Sequence, residues 1–372
     1  MAPVLRAFVH DSTYVESLIC VTAQHRELLD QALNDFAILP HFDLNSMERG
    51  QDLVDSFSRI MGRVGHVLEK ASPDVVLVQG DTTSTLAATL AAAYRRVPVG
   101  HIEAGLRTHD PLVPFPEEMN RRAVDHLATF CFAPTPLAAE NLLKEGIPPD
   151  RIFVTGNTGI DALLLVLVDE TRSRPRPRGP RTLLVTCHRR ESFGHAIRAV
   201  CEAVGRITLA NPDVHVLYVL HPNPEAGAVA YRLLAGTPRV ELIPPLSYPE
   251  LVREMATSYL ILTDSGGIQE EAPVLGKPVL VLRERTERAE GLEAGVARLI
   301  GTDTEVIAAE TQRLLNDEVL YRRMSRPLAL YGDGRAAARI SGWLRHLAGL
   351  SAERPDPFTP GLLQPATISG GA

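Results

Sequence analysis

Residues 74–107 read DVVLVQGDTTSTLAATLAAAYRRVPVGHIEAGLR. One apolar run ends at Gly80-Asp81, a helix-like stretch follows, and a second apolar run leads into His101-Ile102-Glu103. Both runs are short and continuously apolar, the pattern of strands covered on both faces. Strand, helix and strand in this order make a βαβ unit with parallel strands. An α/β fold follows, with ligands gathered beyond the carboxyl ends of the strands.

Working outward, 16–22, 74–79, 97–100 and 152–155 read as strands, and 50–70, 83–95, 117–128 and 135–145 as helices. Residues 174–181, RPRPRGPR, suit neither a helix nor a central strand and read as a linker. A second set of strands is expected at 182–186, 214–220, 239–243, 259–263 and 278–282, then an amphipathic helix over 335–349. The chain of 372 residues is long for one core. Two Rossmann-like domains are therefore predicted, over 1–162 and 163–348, with 349–372 as a mobile tail lacking periodicity.

The net charge of −7 gives no electrostatic reason to expect nucleic acid or an anionic membrane as partner. No apolar run reaches the roughly 20 residues of a membrane span, and Met1-Ala2-Pro3-Val4-Leu5-Arg6 does not open like a secretory leader. Cys20, Cys131, Cys187 and Cys201 are scattered without metal-type spacing and read as thiols in a reducing cytoplasm. No GxGxxG follows a strand and no GxxxxGK[ST] is present. Neither a dinucleotide cofactor nor a metal is expected.

The candidate residues stand at strand ends. Asp81 follows strand 74–79, Glu103 follows strand 97–100, and Glu117 stands fourteen residues further on in PEEMNR. Asp81 also suits a helix N-cap, and Glu117 suits a first helical turn, where the macrodipole favours a carboxylate. Glu103 is harder to give a structural role, because an unused carboxylate beside a buried strand is costly. His188 and Arg189 leave strand 182–186 together, where they can hold an anion or donate a proton, or simply form a solvated basic turn. His221 ends strand 214–220 and fits structure as well as function. The most specific string is TDSGGIQEE, 263–271. Ser265-Gly266-Gly267 leaves N–H groups unobstructed where a helix begins, a place that favours phosphate. Glu271, one turn inside, is placed to accept hydrogen bonds from a ribose diol.

These strings, together with GNTGIDALL, HRRESFG, VLVLRERTERAEG and YGDG, resemble the non-hydrolysing UDP-N-acetylglucosamine 2-epimerases from residue 1 to about residue 348. The resemblance implies two Rossmann-like domains facing a cleft, as in GT-B glycosyltransferases, with the final helix crossing back to the first domain. It implies a UDP-N-acetylhexosamine substrate, a cytoplasmic homodimer and no cofactor. By the same resemblance Asp81, Glu103, Glu117 and His188 are catalytic. Ser265, Gly266, Gly267, Glu271, Arg189 and His221 hold UDP, and Gln24 and His25 belong to a loop that binds an activating second nucleotide sugar in some relatives. The implied reaction eliminates UDP across C1–C2 and re-adds it to the opposite configuration at C2. Two acid/base groups on opposite faces suit that inversion. The bet is Asp81 and Glu117 for that pair, Glu103 as electrostatic support and His188 at the phosphate.

Three departures stand out. The family begins with a strand and Gly-Thr-Arg-Pro-Glu, and Met1-Ala2-Pro3 aligns within the helix that follows. The first strand of the N-terminal domain is therefore expected to be missing, leaving 16–22 and 74–79 without their shared partner. Ala289 replaces a usual proline, and Leu328-Ala329-Leu330 precedes YGDG. The competing readings are a 2-epimerase for a modified UDP-diacetamido sugar, a hydrolysing epimerase, a GT-B glycosyltransferase and a nucleotide-sugar-binding protein without activity.

Overall fold

The computed structural model describes residues 1–10, 15–22, 26–46, 52–170, 181–187, 195–221 and 223–362. The chain divides into two units: Met1–Ala162 with Tyr331–Pro360, and Leu163–Leu330 with Gly361–Ala372.

In the first unit, β1 (Cys20–Val21) and β2 (Phe42–Asp43) form a parallel pair. A second parallel sheet runs β3 (Val76–Gln79), β4 (Val99–Ile102), β5 (Phe130–Ala133) and β6 (Ile152–Val154) in that order. No ladder joins the two sheets among the described residues. Every residue of β4 is buried, His101 included, as a strand covered on both faces requires. Of the strand expected over 16–22 only Cys20 and Val21 are laddered, and neither β2 nor β5 was anticipated. The Phe-Cys-Phe-Ala run of β5 follows helix Glu117–Leu127 after only Ala128 and Thr129, with no Gly or Pro to mark the break.

Helix Leu53–Ala71 shows how sequence sets this packing. Asp52 caps its N-terminus by accepting the Asp55 N–H, and Ser72 ends it in the left-handed conformation. Ile60, Val64 and Leu68, spaced by four, make its buried stripe and pack on Ala87 and Ala91 of helix Thr83–Tyr94. Residues 331–360 belong to this unit as well. In helix Ala336–Leu347, Ala337 and Ile340 pack with Val4, Phe8 and Phe153, and the Trp343 ring lies 4.6 Å from that of Phe153. Asp161 caps this helix from a distance, accepting N–H from Ala336 at 3.2 Å and Ala337 at 2.8 Å.

The expectation of a tail from 349 needs correction. Phe358 is only 2% exposed, its N–H donates to the Val154 carbonyl at 2.9 Å, and Gly361–Leu362 forms a strand. The segment is docked by contacts distant in sequence, among them Arg339 Nε donating to the Asp356 carbonyl at 3.0 Å, and so has no period for a sequence reading to find. Residues 363–372 lie outside the described residues.

The second unit holds β7 (Arg181–Thr186), β8 (Val214–Val219), β9 (Val240–Ile243), β10 (Leu260–Thr263), β11 (Val279–Val281) and β12 (Ala297–Leu299). They are parallel in the order β12-β11-β10-β7-β8-β9. β13 (Leu328–Ala329) pairs antiparallel with β14 (Gly361–Leu362). The linker expected over 174–181 falls outside the described residues except at Arg181, which begins β7. From β7 the sheet grows one way through β8 and β9, then the other way through β10 to β12. The reversal between β7 and β10 is the topological switch point, where open parallel sheets bind ligands. No helix among the described residues is long and apolar enough to cross a membrane.

Candidate active site

Parallel pairing brings the carboxyl ends of β3 and β4 side by side, and with them Asp81 and Glu103. A methyl built on Gly80 would stand 3.7 Å from Glu103 Oε2, so the Glu103 carboxylate lies over the turn that leads to Asp81. Glu103 itself has φ +73°, a strained backbone for a side chain of its size. Asp81 does not cap the helix that follows it: the cap is Thr82, whose side chain accepts the Thr85 N–H at 3.3 Å. The Asp81 side chain is part-exposed and ion-pairs with buried Arg121, while Asn120 Nδ2 donates to the Asp81 carbonyl at 2.9 Å. Asn120 and Arg121 lie one turn along helix Glu117–Leu127 from Glu117, which opens it. The three carboxylates therefore come from elements that meet at one edge of this sheet.

The neighbouring Glu118 does a different job. It is fully buried, accepts the Thr108 N–H at 3.1 Å and the His109 N–H at 3.3 Å, and lies 3.4 Å from Arg121. It fixes the loop that precedes the helix. Asn120 and Arg121 were missed as site residues. The signal was their spacing of three and four from Glu117, which puts them on its face.

In the second unit, Thr186 Oγ1 of β7 and Thr263 Oγ1 of β10 hydrogen-bond at 2.6 Å across the switch point. The Ser265 N–H donates to Thr263 Oγ1 at 3.0 Å, which turns the chain into helix Gly266–Val274. Ser265 is its N-cap and Gly267 is exposed. Gly266 is buried against Arg288: a methyl on it would stand 2.7 Å from the Arg288 Cζ. Arg288 Nε donates to Glu270 Oε1 at 2.9 Å, a second arm pairs with Glu287, and Arg283 Nη1 donates to Glu287 Oε2 at 2.9 Å. Two buried arginines thus meet two buried glutamates behind the helix start. Arg288 brings a cation to the glycine expected to face a diphosphate, and the sequence reading, which singled out its neighbour Ala289, did not name it as a site residue. The arginines of RERTER just after a buried strand were the available signal.

Glu271 is buried and accepts the Tyr248 hydroxyl at 3.0 Å. Burial pushes its carboxyl up to about 8, opposed by that hydrogen bond. His221 follows β8 at the same edge, half-buried, with Nδ1 accepting the Asn223 N–H at 2.8 Å. His188, Arg189, Gln24 and His25 lie outside the described residues.

Each unit thus carries polar groups at the carboxyl edge of a parallel sheet, the second at a phosphate-ready helix start. That defines a doubly wound α/β protein with polar strand ends in each of its units. A family model described as UDP-N-acetylglucosamine 2-epimerase matches residues 8–345. A UDP-N-acetylglucosamine 2-epimerase of Salmonella typhimurium is 50% identical over 351 residues, 91% of this chain and 93% of its own. The crystal structure of UDP-GlcNAc 2-epimerase from Neisseria meningitidis bound to UDP-GlcNAc superposes with a TM-score of 0.89 at 42% identity, covering 93% of this chain and 96% of the other. The S. aureus MnaA–UDP structure also gives 0.89 at 42% identity, covering 96% of each chain. The chain belongs to the UDP-N-acetylglucosamine 2-epimerase family, a family of isomerases.

Proposed function

We propose that the chain interconverts UDP-N-acetylglucosamine and UDP-N-acetylmannosamine by elimination and re-addition of UDP. The observation that carries the reading is the pairing of Asp81 and Glu103 at neighbouring strand ends, with Asp81 held by Asn120 and Arg121 of the helix that Glu117 opens. A C2 proton beside an amide is not acidic. Departure of UDP must therefore develop positive charge at C1 as the proton leaves, and carboxylates beside the sugar stabilise that charge. One carboxylate takes the C2 proton, the C1–O bond breaks with its electron pair on UDP, and a C1=C2 double bond forms. Return of UDP to C1 and of a proton to the other face of C2 gives the epimer. Asp81 and Glu117 form the acid/base pair, with Glu103 as electrostatic support. Ser265, Gly266 and Gly267 take the diphosphate, with Arg288 behind them, and Glu271 takes the ribose.

The test is incubation with UDP-N-acetylglucosamine in D2O, followed by NMR. Conversion to UDP-N-acetylmannosamine with one solvent deuteron at C2 is expected, together with slow leakage of UDP and 2-acetamidoglucal. Turnover should survive a chelator and an NAD-consuming enzyme. Conversion without deuterium at C2 would exclude the elimination. Light scattering should return twice the chain mass, in keeping with the homodimer that the resemblance implies.

A further inference from the structure

His101 has no part in the reaction as written, yet it lies beneath the catalytic turn. It sits in fully buried β4 and is itself 0% exposed. Its Nδ1 is 2.6 Å from Asp125 Oδ1 and its Nε2 is 2.8 Å from the Gly80 carbonyl oxygen. Asp125 also accepts the Gly105 N–H at 3.1 Å and lies 2.8 Å from Arg107 Nη1, so it is held as a carboxylate. A carboxylate and a carbonyl are both acceptors. The ring makes both bonds only with a proton on each nitrogen, as an imidazolium.

The surroundings suit that charge. Asp125 faces the ring from helix Glu117–Leu127, and Glu103 stands two residues along the chain. Arg107 opposes the charge but is itself taken by Glu145, through Nε at 2.9 Å and Nη2 at 2.6 Å. Cys131, the register partner of His101 on β5, has its thiol pushed up by burial to about 12, so it stays neutral. The Asp125 ion pair and the Gly80 bond raise the imidazole above its usual range, against burial.

Gly80 has φ +74°, a conformation glycine adopts freely. A free glycine peptide there can rotate. Its carbonyl and the Asp81 N–H belong to one planar trans peptide and point in opposite directions. Pinning the carbonyl inward to His101 therefore aims the Asp81 N–H outward and fixes where its side chain starts.

We propose that His101 is a positioning residue, a buried doubly protonated ring that locks the Gly80–Asp81 peptide and so holds Asp81 in register with Glu103. This rests on the epimerase reading, in which Asp81 touches substrate. Two variants of the full chain separate the two bonds of the ring. His101→Asn keeps a donor near the Nδ1 position for Asp125 and loses the Gly80 bond. His101→Gln places its donor near the Nε2 position and keeps the Gly80 bond. His101→Asn should lower kcat about a hundred-fold, the scale of a misplaced reacting group, with KM for UDP-N-acetylglucosamine within about twofold. His101→Gln should recover most of that loss at equal folded content by circular dichroism. In the wild type, 15N-histidine NMR should show one ring carrying both protons at pH 7. An Asn variant with wild-type kcat overturns the proposal, as do Asn and Gln variants equally impaired at equal folded content. A neutral ring at pH 7 overturns it even if neither variant folds. Wild-type protein that fails to turn over UDP-N-acetylglucosamine defeats the epimerase reading instead, while the NMR measurement still judges the state of the ring.

Discussion

Glu271 carries opposing demands on one side chain. Its carboxyl is buried and titrates near 8, against an ordinary value of 4.5. Between those values the folded chain holds a proton that the unfolded chain has released, so stability falls as pH rises through that window and levels off above it. Glu271→Gln removes the titration. The variant should melt close to wild type at pH 5 and clearly above it at pH 8, and a melting difference that does not change with pH would contradict the assignment. If Glu271 receives ribose, the same change should weaken UDP by roughly tenfold in calorimetry, the scale of one lost hydrogen bond. Asp81 and Thr82 make a second contrast between adjacent residues. Thr82 is the helix cap, so Thr82→Ala should cost about 1 kcal/mol of stability with kcat unchanged. Asp81→Asn should lower kcat by about a hundred-fold or more, the scale of a lost acid/base group. Equal kcat in both variants would return Asp81 to a structural role.

At the level of elements, the start of helix Gly266–Val274 makes its two glycines unequal. A methyl on Gly266 meets the Arg288 guanidinium at 2.7 Å, whereas one on Gly267 meets nothing closer than Ser265 Oγ at 4.0 Å. Gly266→Ala must displace Arg288 from Glu270, with an overpacking cost of about 1–3 kcal/mol, and should lose both stability and UDP affinity. Gly267→Ala should fold normally and lose UDP affinity alone, because its methyl intrudes only where a phosphate would approach. Melting curves and UDP titration distinguish the pair, and a stable Gly266→Ala variant would show that Arg288 is not held there. The contrast also marks what the sequence could reveal. Strand-to-helix transitions at Gly80-Asp81 and Ser265-Gly266 were legible because a buried apolar run followed by small polar residues is a local signal. β2 was not, because two residues carry no period, and β5 was not, because no Gly or Pro separates it from the helix before it. Arg288 and Tyr248 were not, because their partners Gly266 and Glu271 are distant in sequence and meet only through the fold. The choice between cap and site at Asp81 stayed open until Thr82 was seen to take the cap, a difference of one residue that propensity does not resolve.

At the scale of the whole molecule, each unit has its own sheet and its own buried clusters, so loss of structure in one need not carry the other with it. Phe358 tests this, because it is buried in the first unit by a segment that carries no period in the sequence. Its N–H bonds the Val154 carbonyl of β6, and the Arg339 guanidinium lies 5.8 Å from its ring centre. Phe358→Ala deletes a buried aromatic, at a typical cost of about 3–5 kcal/mol. That loss should fall on the elements Phe358 touches. Hydrogen exchange should rise in β5, β6 and helix Ala336–Leu347, while β7, β8 and β10 keep wild-type protection. Saturating UDP, read as a ligand of the second unit, should raise protection in β10 and helix Gly266–Val274 by mass action and leave the damaged region of the first unit exposed. Uniform loss across both units would show that the molecule unfolds as one cooperative block. Unchanged exchange at β6 would show that the segment around Phe358 is not docked there in solution.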